Sequence, residues 1–246
     1  MAKRERIDLV LVAQGHFASR EQAQRAVMAG EVRLGDRVLT KSSIEVAPDA
    51  ELSVVAPPKF VGRGGLKLEG ALDYFGINPA SQIALDIGAS TGGFTDCLLQ
   101  RGAKKVYAID VGHGQLAWKI RNDPRVVVRE HLNARHVTRA DIPEPIDLCV
   151  IDVSFISLTL ILPNAFELIT PTGVVLALIK PQFELQAADV GRGGIVVDPA
   201  LHEKARRKIE DFIAAQGWIS AGTVASPITG TDGNQEFFIC ARKQSA

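Results

Sequence analysis

The chain has 246 residues, of which 46% are hydrophobic and 23% are charged, and its 28 basic side chains balance 28 acidic ones. This composition is typical of a folded protein with room for one ordinary domain and a small one, and the balanced charge argues against a polycation that binds through a basic tail. The three cysteines, Cys97, Cys149 and Cys240, are too scattered for a zinc site or a disulfide framework, so we expect no metal. Residues 174–179, the longest apolar run, cannot cross a bilayer, and no signal-peptide core follows the N-terminus. We therefore expect a cytoplasmic protein without a membrane partner.

The first 58 residues have the pattern of a small α+β unit. Apolar runs at 7–12 and 23–28 predict two short helices, and Ser19 begins a capping-box pattern ahead of the second. Residues 32–39, with a Gly-Asp turn in the middle, predict a hairpin, and 52–55 predict one more strand.

The order of the cap, glycine and apolar positions in this unit resembles the S4 RNA-binding domain. Those positions are Arg6-Ile7-Asp8, Leu11-Val12, Gly15, Ser19-Arg20, Ala23, Gly30, Val32 and Gly35. Residues 1–41 also hold eight Lys and Arg against five Asp and Glu, and a basic face suits phosphate contacts with folded RNA. The resemblance implies RNA contacts from Arg4, Arg6, Arg20, Arg25 and Arg33. For any one arginine alone, solvated surface is the alternative.

A change of composition predicts a domain boundary after the first unit. Pro57-Pro58 is followed by Gly62-Arg63-Gly64-Gly65, so we assign 1–58 to the S4-like unit, 59–65 to a linker and 66–246 to a larger domain. In the larger domain, strands alternate with helices, which predicts an α/β fold with a mostly parallel, doubly wound sheet. The predicted strands are 83–87, 105–110, 126–129, 148–153 and 174–180, with an antiparallel edge hairpin of 219–225 and 236–241. The main predicted helices are 158–169 and 200–216.

A glycine-rich loop, residues 86–94, follows the first strand of the larger domain, and Asp110 ends the second strand. An acid at that place accepts hydrogen bonds from ribose hydroxyls, which fits NAD and S-adenosylmethionine alike. A dinucleotide fold requires G-x-G-x-x-G, but Ser90 stands at the middle glycine. Asp86 would repel a pyrophosphate and suits a cationic methionine group. The alternative is a tight strand–helix turn without a ligand.

The loop resembles motif I of class I methyltransferases, which implies S-adenosylmethionine as the cofactor. The cofactor contacts expected from it are Asp86, Gly88, Ser90, Thr91, Gly92, Gly93, Phe94, Asp110 and Asp152. Asn133, in the loop after the third strand, is equally well explained as an adenine contact or as a turn residue.

Four charged residues stand at the ends of predicted elements around the same crevice. Asp152 ends the fourth strand, Lys180 ends the fifth, Lys67 follows the glycine hinge and Glu236 begins the last strand. They resemble the K-D-K-E tetrad of FtsJ-like ribose 2'-O-methyltransferases; for each alone, a solvated strand end or a structural ion pair is the alternative. A ribose hydroxyl is a poor nucleophile. The resemblance therefore implies that Lys180 takes or stabilises its proton and Lys67 steers the ribose, while Asp152 and Glu236 orient the two amines.

The S4-like unit and the tetrad together resemble the TlyA family of ribosomal RNA 2'-O-methyltransferases, once labelled haemolysins. Further matching segments are 62–68, 180–184 and 190–202. The resemblance implies a Rossmann-like class I methyltransferase domain behind an S4 domain, with ribosomal RNA or a ribosomal subunit as partner. It favours a cytidine of large-subunit RNA as the target, because the chain looks like the shorter form of the family, and small-subunit RNA is a further candidate.

Gly-Arg-Gly-Gly occurs at 62–65 and again at 191–194. Both segments predict loops that hold RNA phosphates through Arg63 and Arg192, with plain glycine turns as the alternative. Two other functions remain open. One is an RNA-binding assembly factor whose methyltransferase fold does not catalyse, and the other is a pore-forming haemolysin, for which the sequence offers no membrane segment.

Overall fold

A computed structural model describes residues 4–55 and 58–244, and the chain divides into two compact units, 1–59 and 60–246. In the described ranges, no helix combines the length and the apolar character that a membrane span requires.

The first unit contains two helices over two small antiparallel sheets. Its helices are α1 (Ile7–Ala13) and α2 (Arg20–Met28), and its strands are β1 (Glu5–Arg6), β2 (Val32–Leu34), β3 (Arg37–Leu39), β4 (Glu45–Val46) and β5 (Leu52–Val54). Strand β2 pairs with β3 and β5, and β1 pairs with β4. The Ser19 side chain accepts a 3.3 Å hydrogen bond from the Gln22 backbone N–H, as the capping-box pattern predicts. Ile7, Leu11 and Val27 are fully buried between the elements.

The second unit is built around a seven-stranded sheet in the order β11-β12-β10-β9-β6-β7-β8. The strands are β6 (Ile83–Ile87), β7 (Lys105–Ile109), β8 (Val126–Arg129), β9 (Ile146–Ile151), β10 (Ile169–Ile179), β11 (Trp218–Ala225) and β12 (Phe237–Lys243). The helices are α3 (Gly64–Phe75), α4 (Gly93–Gln100), α5 (Trp118–Arg121), α6 (Leu162–Leu168), α7 (Pro181–Glu184) and α8 (Pro199–Ala215). Strands β8, β7, β6, β9 and β10 are parallel, while β12 is antiparallel to β10 and β11. The predicted α/β fold with an antiparallel edge hairpin is confirmed.

The strand order places a ligand crevice at one point of the sheet. The chain runs from β6 outward to β7 and β8, and then returns to β9 on the other side of β6. Open α/β sheets bind their ligands where the order reverses in this way, beyond the carboxyl ends of the strands. The loops after β6 and β9 therefore meet at the crevice.

The segment predicted as a linker, residues 59–65, belongs from Phe60 onward to the second unit. Phe60 is buried, and the Val61 N–H donates a 2.9 Å hydrogen bond to the Asp96 carboxylate on α4. Gly65 already lies in α3, where a Cβ would stand 2.3 Å from the Phe60 ring. The glycines that suggested flexibility instead allow close packing, and the unit boundary falls after Lys59. Pro57 lies outside the described residues.

The bounds of several elements differ from the prediction by one or two residues, and two elements differ more. Strand β10 begins at Ile169 rather than at 174, and its pairing with β9 is irregular between Ile169 and Val174. The helix predicted over 158–169 is a 3-10 turn at 158–160 followed by α6. The difference in β10 arises where Thr-Pro-Thr-Gly, at 170–173, interrupts the apolar pattern that strand prediction relies on.

Candidate active site

The glycine loop between β6 and α4 packs closely against its surroundings, as Gly88 and Gly93 show. Gly88 has a φ of +86°, and a Cβ there would stand 2.2 Å from the carbonyl oxygen of Asp152. At Gly93, a Cβ would stand 3.0 Å from the Gly65 nitrogen and 3.2 Å from the Gly62 oxygen. The loop thus contacts the backbone after β9 on one side and the start of α3 on the other.

Asp110, at the end of β7, holds the edge of the same loop. Its Oδ2 accepts a 2.8 Å hydrogen bond from the Ser90 N–H, and its Oδ1 accepts one of 2.8 Å from the Gly112 N–H. The acid predicted to bind ribose therefore lies beside the loop, and two backbone donors fix the orientation of its carboxylate.

Asp86 lies beneath the loop and not in the wall of the cavities described below. It is fully buried, its Oδ2 accepts a 2.6 Å hydrogen bond from the Thr95 hydroxyl, and its Oδ1 has no hydrogen-bond partner in the described residues. Burial raises the pKa of Asp86 to about 7, and the negative charges of Asp152 and Asp110 add to the increase.

We expect the free energy of unfolding to decrease as Asp86 loses its proton with rising pH. The folded-state pKa is about 7, whereas an aspartate in the unfolded chain has a pKa of about 3.9. Between these values the folded chain binds more protons, so its stability decreases as the pH rises. From about pH 5.5 to about pH 8, the wild type should lose about 2 kcal/mol more than the Asp86→Asn variant, whose amide does not titrate. Urea unfolding of both proteins measures this, and parallel pH curves would contradict it.

The four residues of the predicted tetrad line one cavity of about 280 Å³ as two lysine–carboxylate pairs. Lys67 Nζ lies 2.5 Å from Glu236 Oε2, and Lys180 Nζ lies 2.6 Å from Asp152 Oδ1. Lys67, Lys180 and Glu236 are all less than a tenth exposed. Buried charges of this kind are stable only when paired, and each amine here has a carboxylate partner.

Different elements carry the four members. Asp152 follows β9 and Lys180 follows β10, as predicted, while Glu236 comes directly before β12. Lys67 lies in the first turn of α3, an element that the sequence reasoning did not identify. Leu68, Ala71 and Leu72 at helical spacing, and Gly76 in the left-handed conformation after Phe75, are the signals that would have found this helix.

The remaining predicted cofactor residues divide between this cavity and an adjoining one. Gly88, Ser90, Thr91, Gly93 and Phe94 line the tetrad cavity. The adjoining cavity, of about 510 Å³, is lined by Gly88, Ser90, Asp110, Asn133 and Asp152 among others. Gly92 lines neither, because it packs against Leu116 and Ile120.

Asn133 has the turn role that was one of its two explanations. Its Oδ1 accepts a 3.0 Å hydrogen bond from the Arg135 N–H and so caps a short 3-10 turn. The residue also lines the larger cavity, so an adenine contact remains a proposal beside the turn role.

Ser154, Phe155 and Phe183 are among the residues of the tetrad cavity that were not predicted. Ser154 Oγ accepts a 2.9 Å hydrogen bond from Lys180 Nζ. Phe155 is 90% exposed with a φ of +63°, and its ring centroid lies 5.1 Å from that of Phe183. An aromatic side chain that is both exposed and held in an unfavourable backbone conformation is the kind of signal that only coordinates reveal.

The arginines predicted to contact RNA have different environments. Arg4, Arg25 and Arg33 are exposed. Arg6 and Arg20 both bind the buried carboxylate of Asp8, at 2.9 and 3.0 Å, and with Gln24 they hold the pKa of Asp8 well below its usual range.

Arg63 and Arg192 are the arginines of the two Gly-Arg-Gly-Gly segments. Arg63 lines the tetrad cavity, and its Nη2 donates a 2.9 Å hydrogen bond to the Thr229 carbonyl oxygen. The side chain of Arg192 lies outside the described part of the structure.

The chain is similar to known proteins over most of its length. The FtsJ-like methyltransferase model matches residues 60–243, and the S4 domain model matches residues 5–52. A Bacillus subtilis protein named putative rRNA methyltransferase YqxC is 49% identical over 240 residues, which are 97% of this chain and 85% of that protein. The 16S/23S rRNA (cytidine-2'-O)-methyltransferase TlyA of Mycobacterium tuberculosis is 44% identical over 247 residues, 100% of this chain and 92% of that protein.

A solved structure shows the same similarity. A putative hemolysin from Streptococcus thermophilus matches with a TM-score of 0.75 and 42% identity, over 100% of this chain and 90% of that one. The methyltransferase model covers most of the chain, and the aligned relatives are matched over most of their own length. The chain therefore belongs to the TlyA family of S-adenosylmethionine-dependent methyltransferases, in which an S4 domain precedes an FtsJ-like catalytic domain.

Proposed function

We propose that the protein transfers a methyl group from S-adenosylmethionine to a ribose 2'-hydroxyl of ribosomal RNA, at a cytidine of the large subunit, with small-subunit RNA as a further candidate. One observation carries the proposal. The two lysine–carboxylate pairs share a cavity with the glycine loop, so an acceptor held by the lysines lies next to a cofactor held by the loop. The name of the M. tuberculosis relative, which gives a cytidine 2'-oxygen in 16S and 23S rRNA, supports the choice of substrate.

The residues of the larger cavity fit S-adenosylmethionine. Gly88 lets the glycine loop approach the Asp152 backbone closely where both line the cavity, and the Asp110 carboxylate is oriented to accept hydrogen bonds from ribose hydroxyls. Ser90 and Asn133 line the same space. The carboxyl group of Asp86 is buried beneath the loop and carries a partial negative charge near neutral pH, which suits a cation. When bound there, the cofactor supplies an electrophilic methyl group on a positively charged sulfur.

The chain's own side chains then hold the acceptor. Lys180, fixed by Asp152, binds the 2'-oxygen and takes or stabilises the proton that leaves it. Lys67, fixed by Glu236, steers the ribose. Because both amines are held before substrate arrives, they would orient the 2'-oxygen toward the methyl group that the cofactor would supply, and no covalent enzyme intermediate would be required.

The exposed basic and aromatic residues suit an RNA substrate. Arg63 at the tetrad cavity and the exposed Arg4, Arg25 and Arg33 of the S4 unit offer phosphate contacts. Phe155 offers a flat apolar face beside the tetrad on which a base can stack.

Methyl transfer to separated ribosomal subunits tests the proposal. Purified small and large subunits that lack the modification are incubated with the protein and S-adenosylmethionine carrying a labelled methyl group, and the RNA is digested to nucleosides. We expect label in 2'-O-methylcytidine from the large subunit. Label only in small-subunit RNA, or in another nucleoside, would overturn the choice of target. No label in any RNA, with cofactor binding intact, would favour a ribosome assembly factor.

A further inference from the structure

The amine of Lys180 has a second partner besides Asp152. Its Nζ lies 2.6 Å from Asp152 Oδ1 and donates a 2.9 Å hydrogen bond to Ser154 Oγ. Ser154 comes two residues after Asp152, and all three residues line the tetrad cavity. The proposed roles of the tetrad do not use Ser154.

The hydrogen bond to Ser154 fixes the rotation of the amine about its Cε–Nζ bond. Asp152 Oδ1 lies 2.6 Å from Nζ but accepts no hydrogen bond in the described residues, so the carboxylate attracts the amine without directing it. The substituents of the nitrogen are arranged tetrahedrally, so the N–H that points at Ser154 Oγ sets the directions of the other two positions.

The loop that contains Ser154 also makes hydrogen bonds to the segment after Lys180. Glu184, four residues after Lys180 and 5% exposed, accepts hydrogen bonds from the Ser157 hydroxyl at 2.5 Å and from the Leu158 N–H at 2.7 Å. Lys208 on α8 completes this cluster at 2.9 Å from the Glu184 carboxylate. These contacts join the loop after β9 to the turn after β10 beyond Ser154, and the Ser154–Lys180 hydrogen bond joins the same two segments.

We propose that Ser154 is a positioning residue for the methyl transfer: it fixes the direction in which the Lys180 amine faces the ribose 2'-hydroxyl, whose proton that amine takes or stabilises. The inference rests on the proposed ribose methylation. Because the direction of the amine matters when the oxygen attacks and not when RNA or cofactor binds, the effect falls on kcat rather than on KM.

Two substitutions at this serine separate its hydroxyl from its bulk. Ser154→Ala should lower kcat on the order of 10- to 100-fold while KM for the RNA and Kd for the cofactor stay within about twofold. Ser154→Thr, which keeps the hydroxyl, should restore most of the lost kcat. Ser157→Ala is the matched control, because it also removes a serine hydroxyl from this loop. The Ser157 hydroxyl donates its hydrogen bond to Glu184 and makes none with Lys180. This control substitution should lower the Tm without a comparable loss of kcat.

Equal losses of kcat in Ser154→Ala and Ser157→Ala, or no rescue by threonine, would overturn the inference in favour of loop stability alone. Nitrogen-15 NMR of the lysine ammonium groups provides a readout that needs no turnover. Rotation of the Lys180 ammonium should be slow in the wild type, faster in Ser154→Ala and slow again in Ser154→Thr. If rotation follows this pattern but the wild type methylates no RNA, the proposed function is contradicted while the positioning of Lys180 by Ser154 stands. If rotation is the same in all three proteins, the role of Ser154 fails.

Discussion

Replacing Lys180 with methionine is expected to lower kcat for methyl transfer by about 10²- to 10⁴-fold while cofactor binding stays near the wild-type value. The substitution keeps the length and apolar stem of the side chain but removes the amine that pairs with Asp152 and donates to Ser154. Without it, no charged group on the β10 side of the cavity remains to hold the 2'-oxygen or its proton. Single-turnover methylation of ribosomal RNA measures the chemical step, and calorimetry with S-adenosylmethionine measures binding.

Lys204→Met is the matched control for this experiment. Lys204 lies on α8, forms an ion pair with Asp189 and is 58% exposed, so its replacement changes net charge equally without touching the cavity. Its kcat should remain within about twofold of the wild-type value, since surface ion pairs contribute little. A Lys180→Met protein that keeps more than about a tenth of kcat with normal cofactor binding would contradict the role proposed for Lys180.

Gly88→Ala is expected to abolish measurable cofactor binding and to destabilise the second unit by about 2–4 kcal/mol. The new Cβ would stand 2.2 Å from the Asp152 carbonyl oxygen, and the backbone at Gly88 has a φ of +86°, which alanine adopts only with strain. Relief of the contact requires the loop after β6 to move away from the loop after β9, and those loops form the crevice. Titration with S-adenosylmethionine and urea unfolding measure the two effects.

Gly217→Ala separates backbone strain from the steric contact. Gly217 has a φ of +74°, and a Cβ there would have no atom within 4 Å, so only strain applies. We expect a cost of about 1–2 kcal/mol and unchanged cofactor affinity. If Gly88→Ala behaves like Gly217→Ala in both measurements, the close approach of the two loops is not required for binding.

The sequence was most informative where local pattern and topology agree. Strands β6 and β8 have the predicted bounds, and Asp152 and Lys180 could be placed together because the carboxyl ends of parallel strands meet at one edge of a sheet. The S4-like unit was equally accessible, because cap residues and turn glycines leave local signatures that do not depend on distant contacts.

The sequence was least informative where glycine had a packing role. Gly62, Gly64 and Gly65 suggested a linker, but a Cβ at each would press on Thr91, Phe94 or Phe60, so they allow close packing instead of flexibility. Whether a glycine serves a turn or a close approach depends on residues far away in the chain. Lys67 follows these glycines and was identified by resemblance alone, so the helix α3 that carries it was not predicted.

The division of the charges into pairs also required coordinates. A list of two lysines and two carboxylates allows either pairing, and only the structure shows Lys67 with Glu236 and Lys180 with Asp152. Likewise, Asp86 was expected in the cofactor site because of its position in the motif, but the strand turns its carboxylate inward to Thr95. A period-two pattern does not show which of two faces a polar residue at a strand end will occupy.

The carboxylate that Arg6 and Arg20 share has a consequence for how RNA binding would respond to ionic strength. RNA affinity falls with added salt in proportion to the number of phosphate charges that a protein neutralises, because each neutralised phosphate releases condensed counterions. Arg6 and Arg20 are already partly compensated by Asp8, so each contributes less than a full charge to that count, while their guanidinium groups are ordered before RNA arrives. RNA contacts through these two arginines would therefore add directional hydrogen bonds that persist at salt concentrations where contacts through Arg4, Arg25 and Arg33 would weaken.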